Sequence, residues 1–327
     1  MRRRTVIALL GGAATWPLAG RAQQAERVRR IGVLAGLSEN DPGIKPRIDA
    51  LHQELERLGW VDGRNVRIEK RYAPAGAGAD ELARELVGLQ PDIIVAHTVL
   101  VTAALQHATR TIPVVFVSVG DPFGAGFIAS LARPGGNLTG LMTFELGIAG
   151  KWVAMLKEVM PHLQRVLFAA DPKFGSYGYY LRGAQEAATA LALELVTGRT
   201  EGLAEIEQSI EAFAPAPNGA LVVPPDLTTA AHGSRIVALA ARFRLPAVYA
   251  FRYLVAAGGL MSYGTDRVAE MRQAAAYVDR ILRGAAPGDL PVQTPTKFET
   301  AVNLRTAKTL GLELPATLLA RADEVIE

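Results

Sequence analysis

The chain of 327 residues contains no cysteine. Disulfide staples, thiolate metal sites, a cysteine nucleophile and a lipidated N-terminal cysteine are therefore all excluded. Histidine is scarce too. His52, His97, His107, His162 and His232 are scattered, and none stands three or four residues from another with a carboxylate nearby, so no metal centre is expected. Charge of one sign is also lacking. The formal net charge of +3 includes Arg2, Arg3, Arg4 and Arg21, and without those four it falls to −1, leaving no basic surface for nucleic acid to follow. Walker A, GxSxG and HExxH patterns are absent, which removes the usual carriers of phosphate, serine and zinc chemistry. Gly124–Ala129 does spell a dinucleotide fingerprint with Glu145 downstream. It comes after the fourth predicted strand rather than the first, so a structural turn is the better reading, and no cofactor is expected.

A membrane-spanning run is missing as well. After Arg2-Arg3-Arg4 the uncharged stretch Thr5 to Gly20 has sixteen residues, short of the roughly 20 that a spanning helix needs. A basic start, a short apolar run and the small residues Gly20 and Ala22 together make a secretory signal over residues 1–22, of Tat or Sec type, cut after Ala22. The mature protein is expected in the periplasm.

Beyond this signal, strands and helices alternate. Arg30–Leu34 is a short apolar run, and Ile48, Leu51, Leu55 and Leu58 then recur at helical spacing. Val66–Glu69, Asp92–Ala96 and Pro113–Val119 continue as strands, with helices marked by Leu82, Leu86 and Leu89 and by residues 102–109. The order then restarts: Arg165–Ala169 mirrors Arg30–Leu34, Gly219–Val223 mirrors Asp92–Ala96, and Arg244–Tyr249 mirrors Thr111–Phe116, at offsets of 135, 127 and 133 residues. Strands alternating with helices of about a dozen residues imply parallel sheets covered on both faces. The fold class is therefore α/β, with two similar doubly wound parallel-sheet lobes joined by hinge crossovers. Such lobes place two sets of strand-end loops around one solute.

Several motifs carry a family resemblance. Gly120–Gly126, Leu131–Gly140, Arg244–Tyr249, Ala257–Gly264, Leu290–Glu299 and the closing Leu318–Ile326 resemble the ABC-transporter substrate-binding proteins that include tryptophan-importer-type members. The resemblance covers about 300 residues. It implies a type I periplasmic binding protein, monomeric, that captures a small-molecule ligand and delivers it to an inner-membrane ABC permease. His97-Thr98-Val99 departs from the Gly-Thr-Pro turn often found after the third strand in that family.

The lobes are expected to comprise 28–142 plus 260–290 and 143–259 plus 291–327, with hinges near 142–144 and 259–264 and a third crossing between Pro291 and Val302. Candidate ligand contacts are Thr98, Ser118, Thr143, Ser262, Tyr249 and Tyr263 at strand ends or crossovers. Asp121 and Asp226 are either cleft acceptors or helix caps. Phe174, Tyr177, Tyr179 and Tyr180 form an aromatic loop suited to a planar solute. Together these favour an amino-acid-like or aromatic carboxylate. The competing reading is an exported α/β enzyme, a glycosyltransferase or hydrolase, using the same cleft.

Overall fold

The computed structural model describes residues 27–327 apart from 42, 146, 174 and 175. Phe174 and the expected signal segment therefore lie outside the described residues. The first lobe is built on β1 (Arg29–Ala35), β2 (Val66–Tyr72), β3 (Ile93–His97), β4 (Val114–Val119) and β5 (Leu138–Met142). These pair in the order β2-β1-β3-β4-β5, all parallel. One face is covered by α1 (Ile44–Arg57), whose Ile44, Ile48, Leu51 and Leu55 fall on one stripe and are buried. The other face is covered by α2 (Ala79–Gly88) and α3 (Val99–Ala108). β3 is buried at every position because both faces are covered.

The second lobe repeats the plan with α4 (Ile148–Val159), β6 (Arg165–Ala169), α5 (Tyr177–Ala190), β7 (Glu194–Gly198), α6 (Leu203–Phe213), β8 (Gly219–Val223), α7 (Leu227–Ala231), α8 (Gly233–Arg242) and β9 (Ala247–Tyr249). After α9 (Arg252–Ala256) and β10 (Met261–Thr265) the chain crosses back, and α10 (Arg267–Leu282) packs beside α1 on the first lobe. It then returns through β11 (Phe298–Asn303), α11 (Leu304–Leu310), α12 (Ala316–Ala320) and β12 (Glu324–Ile326). The second sheet runs β12-β11-β10-β9-β8-β6-β7. It is not wholly parallel, since β11 lies antiparallel to β10.

Two expected boundaries shift. Met261–Thr265, expected in the first lobe, pairs with β9 and β11 in the second sheet, so the chain leaves that sheet at Asp266 rather than within 259–264. Residues 291–293, expected in the second lobe, stay on the first, because Val292 N–H donates to Leu131 and Gln293 pairs with Leu141. The reason is chemical: Met261–Thr265 is buried throughout, and only a strand flanked on both sides satisfies its backbone. Trp152 anchors the second core beside this crossing. It is fully buried and its Nε1–H donates to the Tyr263 carbonyl at 2.7 Å.

Candidate ligand site between the lobes

Parallel β3 and β4 end side by side, and the chain bends sharply at both ends. Thr98 sits at φ 90°, ψ 158°, a conformation nearly confined to glycine. Ser118 is left-handed at φ 62°. Something must hold these turns. The Ser118 N–H donates to Glu270 Oε1 at 2.7 Å, and Glu270 Oε2 accepts from Arg267 Nη1 at 3.0 Å. The same Nη1 lies 3.0 Å from Ser118 Oγ and 3.1 Å from Thr143 Oγ1. Arg267 and Glu270 come from the first turn of α10, one helical step apart, so both reach the strand ends together.

A second cation stands beside this network. Arg47, in the first turn of α1, places Nη1 3.2 Å from His97 Nε2. Arginine only donates, so Nε2 accepts and the ring proton belongs on Nδ1. That Nδ1 is buried without a partner among the described residues, and so is Thr98 Oγ1. Burial, followed by the fields of Arg47 and Arg267, holds the His97 pKa well below that of an ordinary imidazole. Burial, and then Arg267, lowers Arg47 to about 10, although Glu270, Tyr253 and Asp41 pull the other way. The cluster thus combines two guanidinium cations, a neutral imidazole and the Glu270 carboxylate, with the Asp41 carboxylate near Arg47 but outside ion-pair distance. Thr98 does not cap α3, so the helix N-terminus adds uncapped amides to the same corner.

The second lobe presents aromatics. Phe251 and Tyr253 stack at 5.7 Å with an interplanar angle of 14°. Phe251 lies under the Arg267 guanidinium at 4.8 Å, while Tyr253, 45% exposed, feels the charges of both Arg47 and Arg267. The lobes also meet near the hinge. A Cβ on Gly120 would come within 2.6 Å of Ser176 Oγ and 2.7 Å of the Tyr180 hydroxyl, so only glycine permits this approach.

The structure gathers Thr98, Ser118 and Thr143 in one place beside His97 and leaves other candidates outside it. Tyr249 is fully buried among the residues beneath α8, and its cross-strand neighbour Ser262 is buried likewise; neither hydroxyl has a partner among the described residues. Tyr263 stacks on Phe298 at 5.3 Å and accepts a hydrogen bond from Lys151 Nζ. The aromatic loop is corrected: Tyr177, Tyr179 and Tyr180 form the first turn of α5, because Gly178 interrupts nothing once Tyr180 is anchored in the core. Tyr177 packs edge-on against Phe168 of its own lobe. Asp226 caps α7 by accepting from the Thr229 N–H at 2.7 Å, with a weaker contact from Asp171 N–H, and burial pushes its pKa up to about 6. Asp121 accepts from the Gly124 N–H in a tight turn.

Sequence reading missed Arg47, Arg267, Glu270, Phe251 and Tyr253. Each lies in the first turn of a helix or just before one, directly after a strand or loop. A charged residue there is ordinary on a surface helix, so position alone carried no signal.

Two α/β lobes facing each other across strand ends, one bearing cations and hydroxyls and the other aromatics, define a cleft-type solute-binding protein with the type I periplasmic binding fold. Residues 30–326 match the family model for ABC transporter substrate binding proteins, and the chain belongs to that family. It is a binding protein rather than an enzyme. A "Tyrosine-binding protein" of Clostridioides difficile is 25% identical over 290 residues, covering 88% of this chain and 83% of the relative. A conserved domain protein from Vibrio cholerae superposes with a TM-score of 0.85 at 27% identity, covering 91% of this chain and all of that one. An ABC domain from Streptococcus pneumonia in complex with L-Trp gives a TM-score of 0.84 at 23% identity, covering 91% and 99%.

Proposed function

We propose that this chain is the periplasmic receptor of an ABC importer and that it captures an amino-acid-like or aromatic carboxylate between its lobes before delivering it, as a monomer, to an inner-membrane permease. The observation that carries the ligand class is Arg47: a largely buried guanidinium with no carboxylate within ion-pair distance among the described residues, set beside His97 and the unpartnered hydroxyl of Thr98. A buried cation is costly unless an anion meets it. A ligand carboxylate reaching Arg47, Thr98 and the first amides of α3 would do so. The Phe251–Tyr253 stack would then cover an apolar or aromatic body from the second lobe. Ser118 and Thr143 hold Arg267 in place at the edge of this pocket. The tyrosine and tryptophan ligands of two relatives agree with that class.

A thermal-shift screen of the purified mature chain tests this. An aromatic acid or amino acid at about a hundred times its dissociation constant stabilises the protein by about 2.7 kcal/mol, and Arg47→Ala removes the shift. If such compounds leave the melting temperature unmoved while a sugar or polyamine raises it, the ligand class is wrong. N-terminal sequencing of protein recovered from the periplasm should begin near Gln23, and an intact Met1 in a cytosolic pool would contradict export.

A further inference from the structure

Among the described residues, three stretches of chain cross between the lobes, and all three meet at the first turn of α10. The first crossing follows β5 and carries Thr143 and Phe144, the second is Asp266 at the end of β10, and the third runs from Thr294 to Lys297 ahead of β11. Arg267 and Glu270 stand beside the second crossing. Their side chains are 14% and 8% exposed and form an ion pair at 3.0 Å, largely shielded from water.

One guanidinium nitrogen ties these parts together. Arg267 Nη1 has two hydrogens and faces three oxygens: Glu270 Oε2, Ser118 Oγ at the end of β4, and Thr143 Oγ1 on the first crossing. Glu270 gives its other oxygen to the Ser118 N–H, 152 residues away in sequence. The same guanidinium lies over second-lobe rings, 4.8 Å from the Phe251 centroid and 5.7 Å from that of Phe144. Lys297 on the third crossing reaches Asp266 Oδ2 at 3.3 Å, while Asp266 Oδ1 caps α10 by accepting from the Val268 and Ala269 N–H groups.

Hinge closure turns a few backbone torsions in such crossings. A side chain that hydrogen-bonds one lobe and a crossing while packing on rings of the other lobe is satisfied at one interlobe angle and loses contacts at others. The angle here is near closed: Tyr253 of the second lobe lies within the fields of Arg47 and Asp41 of the first, and Ser176 and Tyr180 stand against Gly120. We propose that Arg267, set by Glu270, is a positioning residue that holds the ligand-free receptor near the closed interlobe angle and so raises affinity without touching the solute. This role depends on the solute-receptor reading but not on its ligand class. When only part of the population is competent to bind, the apparent dissociation constant rises as that share falls, so a closed share cut tenfold weakens binding by about tenfold.

The lack of native cysteine makes the interlobe distance directly measurable. Spin labels are placed on Asn40→Cys in the loop after β1 and on Ala256→Cys, three residues along α9 from Tyr253; both positions are exposed. Electron spin resonance then reads their separation in the ligand-free mature chain. Arg267→Met combined with Glu270→Gln leaves no buried charge alone and keeps an amide oxygen for the Ser118 N–H. In that double variant the mean separation should lengthen by several ångströms. Thr143→Val, nearly isosteric, should lengthen it less, and it carries the test if the double variant does not fold. Titration with L-tryptophan and L-tyrosine gives a second readout: affinity in the double variant should fall by the same factor as the closed share, about tenfold. A separation unchanged in the ligand-free variants overturns the proposal. An affinity loss far larger than the population shift overturns it too, because Arg267 would then be a ligand contact. If neither amino acid binds the parent, the ligand class is wrong, and the separation alone decides the role of Arg267.

Discussion

Arg47→Met should make the ligand-free protein more stable and the receptor worse. Burial and Arg267 depress the Arg47 pKa from 12.5 to about 10 in the folded chain. A base whose folded pKa is lowered is penalised at every pH below that value, so the full cost is present at pH 7. Two and a half pKa units correspond to about 3 kcal/mol. Methionine keeps most of the buried stem and removes the charge. Against that gain stands the lost donor to His97 Nε2, worth about 1–2 kcal/mol if the ring finds no other partner. The net expectation is a gain of about 1–2 kcal/mol in urea unfolding, or a rise of a few degrees in melting temperature. Binding of an aromatic carboxylate should weaken by about 2–5 kcal/mol in the same variant. The two effects have opposite signs, which ordinary damage to the fold cannot produce. A variant that loses more than about 1 kcal/mol of stability would falsify the claim that this guanidinium is held at a cost.

Three further outcomes are expected. Asp226 has a folded pKa near 6 against 3.8 for an unperturbed aspartate, so its contribution is fully present below about pH 4 and is lost as pH rises through 6, a swing of about 3 kcal/mol; urea titrations of Asp226→Asn should lack this component, and an unchanged pH profile would contradict it. Thr98→Gly relieves a conformation that costs a threonine about 1–3 kcal/mol, so the unliganded melting temperature should rise while carboxylate affinity falls; a lower melting temperature would show that Thr98 is not strained. Gly120→Val puts a side chain where Ser176 and Tyr180 stand, holding the lobes apart. Small-angle scattering should then find a larger radius of gyration than the parent has with saturating ligand, and equal radii would remove Gly120 from the closing contact.

Most of the scaffold was legible because hydrophobic periodicity is local. The stripe Ile48, Leu51 and Leu55 and the buried runs Ile93–Ala96 and Gly219–Val223 report their own burial, and each became the expected element. Met261–Thr265 was read as part of a hinge, and neither its strand nor its lobe was seen. A buried strand looks the same whichever sheet buries it, and only its pairing with Ala301 and Tyr249 decides. Tyr249 illustrates a related ambiguity. A strand-end tyrosine serves a cleft or a core equally well until the helix over it is placed, and here α8 and α9 cover it.

The charged half of the site was not legible for a different reason. Arg47, His97, Ser118 and Arg267 lie far apart in the chain and meet only because three parallel strand connections and one hinge crossing end at the same corner. Each of them looks unremarkable within its own segment. The hydroxyls Thr98, Ser118 and Thr143 could be anticipated, since a parallel sheet brings its strand ends to one edge whatever the residues are. The arginines could not, because each comes from a first helical turn whose direction depends on tertiary packing. The duplication that revealed the lobes hides this asymmetry as well. Equal lobes suggest equal shares of a ligand, yet the first lobe holds the Arg47 and Arg267 guanidinium groups and the second holds the aromatic stack. Charge acts over a distance near the Debye length, about 8 Å at physiological salt, while aromatic contact requires van der Waals range. In the proposed reading, a solute carboxylate is captured first on the Arg47 side of the cleft, and closure then brings Phe251 and Tyr253 onto whatever body that carboxylate carries.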